Sequence, residues 1–369
     1  MANTFLTCQQ IARMALPILR ENLVFPALCY RDYSDEFARE GDTIQVRKPP
    51  VYEAKNFTNA VVVQDITEDN VLVTLDKIAD VSVEITARQM ALNLRSFEEQ
   101  VIRPAAIAIA EKINHEGLAL YKGVPYFTGT AGTTPDALDD FANARRILNT
   151  NKVPMSPRYA VWDPNADAAF SILPAIVNAE KSGSTQALRE GSIGRIQGMD
   201  NFMSQGVQTH TKGTLAATGS GAKILLKGAA DNAKTITLDT GGTALAGTLK
   251  AGDMLTIGTV TATVAEDATA ASDEIEVKLI RPVTAADNAE VTVGGDYTAN
   301  LAFHKNAFAF VSRPLELARG VESYVTSFEN LTLRVTFGYD MTAKKQMLSI
   351  DTLYGYKTLY PELAVKVLG

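Results

Sequence analysis

Histidine is the side chain best suited to metal ligation and to proton transfer near neutral pH, and the chain carries three, His115, His210 and His304, far apart in sequence. A zinc site legible in sequence needs closely spaced ligands, and no H-E-x-x-H or Cys/His cluster occurs, so ligands could converge only through folding. Cys8 and Cys29 match no metal or redox spacing and point to a reducing compartment. Ser220-Gly-Ala-Lys223 satisfies the S-x-x-K pattern in which a lysine activates a serine nucleophile, but K-T-G and S-D-N partners are missing, and the match is read as coincidence. The adjacent acids Asp35-Glu36, Glu98-Glu99 and Asp139-Asp140 form an acid–base couple only where a pocket drives their pKa values apart. For Glu98-Glu99 the first turn of a helix is reason enough, because negative charge suits the helix dipole there. Gly191, Gly194 and Gly198 do not match a dinucleotide fingerprint, no G-x-x-x-x-G-K-[ST] loop exists, and these glycines are expected to serve turns. No catalytic, cofactor or metal site is expected from these signatures.

Charge narrows the partners. The chain has 35 Lys and Arg against 42 Asp and Glu, a net charge of −7, which makes it a poor candidate for gripping nucleic-acid phosphates. Charges over residues 1–60 cancel, so there is no basic arm. With 369 residues, 46% hydrophobic and 21% charged, the chain is long enough for two or three compact units and excludes wholesale disorder. Arg13, Arg20 and Glu21 interrupt the apolar start before a signal core or a membrane span accumulates. The expectation is a soluble chain that folds in the cytoplasm.

The apolar pattern predicts the frame. Ile11, Ala12, Ala15, Leu16, Leu19, Leu23 and Val24 recur at three- and four-residue steps, placing a stripe along a short N-terminal helix with Pro17 inside it as a kink. From Thr43 the period changes to two, with Ile44 and Val46 alternating against Gln45 and Arg47, and extended runs follow at residues 61–63 and 71–75. Together they make a long hairpin-like ribbon with little core of its own, marginal in water unless it lies on something. Val81, Val83 and Ile85 predict another strand. Ser96-Phe97-Glu98-Glu99 has capping-box spacing, and the stripe from Phe97 through Val101, Ala105, Ile109, Ile113 and Leu118 predicts a helix to about Tyr121, bent at Pro104.

Residues 129–211 read as a mixed α/β unit, with a helix over 136–149, a buried strand over 159–162, a stop at Asp163-Pro164, a helix over 166–172, and a turn-rich tip at Gly183, Gly191, Gly194 and Gly198. Between Lys212 and Asp296 there is no Phe, Tyr, Trp, His or Cys. That stretch is rich in Ala, Thr, Gly and Asp, with β-type runs at 234–238, 254–257, 260–264, 274–280 and 290–293, and is expected to be an inserted antiparallel β-domain. Aromatic sequence resumes at Tyr297, and alternation returns through Leu331, Leu333, Val335, Phe337, Leu348 and Ile350.

This order of helical arm, extended ribbon, long helix and split α/β unit resembles the major capsid protein of tailed bacteriophages, the Hong Kong 97-type fold, in the coat-protein branch with an inserted β-domain. The resemblance spans nearly the whole chain. It is most specific at Ala15-Leu-Pro-Ile-Leu-Arg-Glu-Asn22, at Leu249-Lys-Ala-Gly-Asp253 with residues 257–260, at Asn300-Leu-Ala-Phe-His-Lys-Asn-Ala-Phe308, and in the tail Ile350-Asp-Thr-Leu-Tyr-Gly-Tyr-Lys-Thr-Leu-Tyr-Pro-Glu-Leu-Ala-Val365.

The resemblance implies an α+β fold with an N-terminal arm at 1–42, an extended loop over the adjacent subunit at 43–76, a peripheral domain with a spine helix at 77–128, an axial domain at 129–211 and 299–342, an inserted β-domain at 212–298 and returning peripheral strands at 343–369. It also implies a non-enzymatic shell subunit without cofactor. Its partners are then itself as hexamers and pentamers, a separate scaffolding protein because the chain starts directly at the arm, a portal protein, and double-stranded DNA enclosed without sequence-specific binding. No membrane partner is implied, and the location is the virion, assembled in the host cytoplasm. Candidate intersubunit contacts are Arg47, Lys48, Glu53, Lys55, Lys181, Arg189 and Glu190. Lys48 and Lys55 could meet an acidic patch or be cross-linked to a neighbour, although a solvated lysine guarding a strand edge is the plainer reading. Three other readings compete. A bacterial nanocompartment shell uses the same fold; a carbohydrate-binding adhesin fits the Thr/Ala-rich insert but lacks aromatic rings there to stack on sugars; an enzyme lacks a constellation.

Overall fold

The structure is a computed structural model that describes residues 7–31, 43–47, 70–85, 98–178, 186–218, 221–271, 273–340 and 345–369. Two compact units divide it, one of Met1–Leu23, Cys29–Ile113 and Phe308–Leu359, the other of Val24–Leu28, Asn114–Ala307 and Tyr360–Gly369.

In the first unit Thr7 caps the helix Cys8–Asn22 through a reciprocal box, its hydroxyl accepting from the Gln10 N–H and the Gln10 side chain accepting from the Thr7 N–H. Pro17 lies inside the helix, and the expected stripe is buried at Ile11, Ala12, Ala15, Leu16 and Leu19. That face packs on the strands Glu322–Phe328 and Leu331–Asp340. Both belong to a five-stranded antiparallel sheet whose long strand, Lys345–Thr358, pairs along one edge with Lys77–Ile85 and along the other with Leu331–Asp340 and then Phe308–Arg313. Leu331, Leu333, Val335, Leu348 and Ile350 are buried, as their alternation predicts.

The ribbon begins as a separate two-stranded sheet, Thr43–Arg47 against Asn70–Thr74, with Thr43 opposite Thr74 and Arg47 opposite Asn70. The expected run at 61–63 lies outside the described residues. Where the ribbon meets the long strand, a Cβ on Gly355 would overlap the Thr74 carbonyl oxygen, so the crossing requires glycine.

The expected long helix is found as three consecutive helical types: a π turn at Glu98–Ile102, the α-helix Arg103–Leu118 and the 3-10 turn Ala119–Gly123. Pro104 falls just after the change from π to α, where the missing N–H is tolerated in a first turn. Ser96 and Phe97, expected to cap it, lie outside the described residues.

In the second unit, a seven-stranded mixed sheet runs in the order Tyr126–Thr128, Ala364–Leu368, Tyr297–His304, Arg158–Trp162, Met199–Met203 and Arg195–Ile196, with Thr209–His210 added alongside the start of Tyr297–His304. Helix Leu138–Thr150, two residues later than expected at its start, packs against it. Phe141, Trp162 and Phe170 sit with ring centroids 4.4–5.0 Å apart in a core shared with Ala160, Ala302, Val365 and Val367. Asp163-Pro164, expected as a stop, is instead a helix start. The Asp163 carboxylate accepts the Asn165 N–H at 3.1 Å, and Pro164 opens the helix Pro164–Ser171, so the expected helix at 166–172 begins two residues earlier.

Residues 212–296 are β-structure. Six strands pair in the order Val260–Thr263, Met254–Ile257, Glu290–Val293, Ile224–Lys227, Ala230–Asp239 and Ile275–Ala285. The first and last of these also meet. Val264 bridges Leu279, the Ala265 N–H donates to the Lys278 carbonyl at 2.8 Å, and the Arg281 guanidinium donates to the Thr261 carbonyl at 2.8 Å. The sheet thus closes into a small barrel whose edges are paired. Its interior is aliphatic, with Leu226, Leu238, Leu255, Ile257, Val264, Ile275, Val277 and Val291 buried together. The chain joins and leaves this segment side by side, with His210 opposite Tyr297 and Thr209 opposite Thr298.

Candidate functional site

Seven residues were expected at subunit contacts, and the structure places three of them. Arg47 stands at the end of its strand opposite Asn70. Arg189 and Glu190 are exposed at the end of the short helix Gln186–Glu190, just before Gly191 turns the chain with a φ of 67°. Lys48, Glu53, Lys55 and Lys181 lie outside the described residues. Gly194 and Gly198 also take positive φ, 69° and 85°, as turn glycines do. Of the S-x-x-K match, Ser220 lies outside the described residues and the Lys223 amine donates to Glu290 at 2.7 Å.

The histidines do not converge. His115 is exposed and offers only its carbonyl to the Gln208 side chain. Burial holds the His304 imidazole below its ordinary pKa, and its Nδ1 accepts the Asn306 N–H at 3.2 Å. Among the described residues no group of three His, Cys, Asp or Glu gathers as a metal site requires, and no helix is long and apolar enough to cross a membrane. Cys8 and Cys29 are both buried and unbridged. Burial, with Glu322 adding to it, pushes the Cys8 thiol up to about 11, and burial raises Cys29 further, so both are poor nucleophiles at neutral pH.

Titratable side chains do gather at the root of residues 212–296, a cluster that sequence reading missed. Five elements supply it: Tyr121 from the 3-10 turn, His210 ending its strand, Asp253 from the turn after Leu249, Tyr297 opening the outgoing strand, and Lys366 in Ala364–Leu368. The turn itself is held by Asp253, whose carboxylate accepts the Lys250 N–H at 2.8 Å and the Gly213 N–H at 3.0 Å. Gly252 carries a φ of 103°, and its carbonyl accepts the Tyr297 hydroxyl at 2.8 Å. A Cβ on Gly213 would overlap the Thr248 carbonyl oxygen, so the close approach of the incoming chain to this turn also requires glycine.

A hydrogen-bonded chain links the group. His210 Nε2 lies 2.8 Å from Asp253 Oδ1, and His210 Nδ1 lies 2.9 Å from the Tyr121 hydroxyl. A neutral imidazole satisfies both, donating from Nε2 and accepting the tyrosine O–H at Nδ1. Burial pushes the Asp253 carboxyl upward, but the bonds from His210, Lys250 and Gly213 outweigh it and hold the group below the usual carboxylate range. Burial, reinforced by Asp253, pushes Tyr121 up to about 12 and raises Tyr297 as well, the latter with Tyr121 contributing. The Lys366 side chain is fully buried, with its amine 3.5 Å from the Tyr297 hydroxyl and over the rings of Tyr297 and Phe127 at 5.5 and 5.9 Å. Burial pulls its pKa down to about 7 against the opposing pull of Asp253.

The Tyr–His–Asp geometry matches that of a proton relay, but Tyr121, His210 and Asp253 are at most 3% exposed, so no substrate reaches it. Its chemistry is to tie the barrel's turn to the strands below. The one signal in the sequence was Lys366 itself, a single charge inside the otherwise apolar strand Ala364–Leu368.

No family model matches the sequence, and no curated protein is similar to it. Solved structures are similar in fold. A structure from Mycobacterium phage Che8 matches with a TM-score of 0.53 at 17% identity, over 94% of this chain and 90% of that one. The capsid of the Cyanophage P-SCSP1u matches at 0.49 with 13% identity, over 94% of this chain and 88% of that one. A virus-like particle from Pyrococcus furiosus matches at 0.44 with 9% identity, over 99% of this chain and all of that one. The first likeness shows a shared mixed α and β fold; the other two, below 0.5, add nothing to it. The mature capsid of bacteriophage PhiM1 and the capsid of Ralstonia phage GP4 are also among the similar structures.

Proposed function

We propose that this chain is the major capsid protein of a tailed bacteriophage or prophage, with the Hong Kong 97-type fold, and that its copies assemble as hexamers and pentamers into an icosahedral head around double-stranded DNA. The observation that carries this reading is the fold likeness to the Mycobacterium phage Che8 structure over 94% of the chain, which is a likeness of whole architecture and not of one module. Physical features support it. A two-stranded ribbon needs burial from something else, and many weak contacts repeated by symmetry close a stable shell. A net charge of −7 suits a container filled by a motor, since a wall that gripped DNA would hinder its release.

On this reading residues 1–42 are the arm, 43–76 the extended loop, 77–128 the peripheral domain, 129–211 and 299–342 the axial domain, 212–298 the inserted domain and 343–369 the returning peripheral strands. The adjacency of His210 and Tyr297 supports an insertion, because a segment whose ends are neighbours joins a host fold at one point. Arg47, Lys48, Glu53, Lys55, Lys181, Arg189 and Glu190 are the proposed contacts between copies. A scaffolding protein and a portal protein are the proposed partners, with no catalytic role and no cofactor, and the product is a virion component assembled in the bacterial cytoplasm.

Electron microscopy of the negatively stained chain, expressed alone and together with a candidate scaffolding protein, tests the proposal. Closed shells of uniform diameter are the expected result, and dispersed single subunits under both conditions overturn it. Shells that enclose a protein cargo and lack a portal would assign the chain to a nanocompartment instead.

A further inference from the structure

The cluster at the root of residues 212–296 holds one group more than a structural tie needs. The Tyr121–His210–Asp253 chain and the Tyr297 bond to Gly252 already fasten the turn. A buried lysine beside them adds a desolvation cost that an apolar side chain of similar length avoids. We propose that Lys366 makes this root a proton-sensitive latch: the closed root keeps the amine uncharged, and opening admits water and one proton to it, so acidification favours release of residues 212–296 from their base.

The surroundings explain why the closed root disfavours an ammonium. Its polar contact is the Tyr297 hydroxyl at 3.5 Å, and its other near groups are aromatic faces, which offset only part of the lost hydration. The elements packed around it bring Tyr121 and Lys122 on the 3-10 turn, His210 at the end of Thr209–His210, Lys250 and Asp253 on the barrel turn, and Tyr297. Lys122 is exposed, and the Lys250 amine donates to the Thr211 carbonyl at 3.3 Å. Asp253 is the carboxylate that acts on Lys366, and its oxygens are already engaged by His210, Gly213 and Lys250.

The proton count fixes the direction. The closed amine titrates at about 7, whereas an exposed lysine titrates near 10.4. Between those values the open form holds one proton more, so the opening equilibrium rises about tenfold for each unit the pH falls, and it levels off below about 7, where both forms are charged. Asp253, held below the usual carboxylate range, changes charge only at acid pH, outside this window.

Hydrogen exchange of the full-length chain from pH 6 to 9.5, read as protection factors, is the test. The root amides of Gly213 and Lys250, which donate to the buried Asp253 carboxylate, should gain about tenfold in protection per unit between pH 7 and 9, and Lys366→Met should remove that slope while keeping protection at or above the wild-type maximum. A flat wild-type profile, or a slope that survives Lys366→Met, overturns the proposal. Should the variant fail to fold, a 13Cε lysine NMR titration of the wild-type chain decides: one amine with a midpoint near 7 supports the latch, and midpoints all above about 10 overturn it.

Discussion

Residues 212–296 and residues 43–76 both carry antiparallel β-structure, yet they deal with sheet edges in opposite ways. The barrel curls until its outer strands meet and fills its interior with its own Leu, Ile and Val side chains. The ribbon starts as a bare pair of strands, and in Asn70–Thr74 and just beyond it Val73 and Leu75 are buried while Leu72 stays half exposed. Its burial comes from the strand it crosses at Gly355. Alternation of apolar residues predicts both; what separates them is whether the partners of the buried face lie in the same segment. A barrel of this kind is self-sufficient, whereas a ribbon borrows its stability from what it lies on.

The comparison breaks most sharply by deleting residues 50–70. The subunit should keep its circular dichroism spectrum yet lose assembly altogether in sedimentation and microscopy; normal shells from this deletion would show that the ribbon is not a borrowed element. Next in size is Leu255→Ala, which empties part of the barrel interior at a fully buried position and should cost about 2–5 kcal/mol in denaturant unfolding. Asp253→Asn should cost about 1–3 kcal/mol at pH 7 by weakening the turn's charge-assisted bonds. Because the folded carboxyl sits below its unfolded value, its contribution is complete above about pH 4 and is lost as the pH falls through the folded value, so the Asn variant should lack that part of the acid dependence. Smallest is Lys223→Ala: its pair with Glu290 has both side chains about half exposed, and the melting midpoint should not move measurably.

Elements whose side chains alternate over four or more residues were legible. Met254–Ile257 and Glu290–Val293 lie where the pattern puts them, and the stripe of Cys8–Asn22 is buried as read. Ile224–Lys227 was not read as a strand, because Ile-Leu-Leu is a continuous apolar run without a period. Ala216–Thr218 and Ala244–Ala246 are too short to show one. The change of helix type ahead of Pro104 was also missed, since a proline marks a lost hydrogen bond without saying which helix adapts to it. The root cluster was illegible for a different reason. Tyr121, His210, Asp253, Tyr297 and Lys366 come from five elements with no shared spacing, and the topology that joins them is fixed by pairings such as Tyr297 with His210. Of the proposed contact residues, Arg47, Arg189 and Glu190 are located by the fold.

The neighbouring positions of His210 and Tyr297 make the barrel separable at a single seam. Two adjacent antiparallel strands can be rejoined by a tight turn of about two residues, so the host sheet could be sealed after excision without re-threading. Gene rearrangement could therefore gain, exchange or shed this module while leaving the host sheet intact. The same seam is a grafting point where a foreign domain with closely spaced termini could be displayed once per copy.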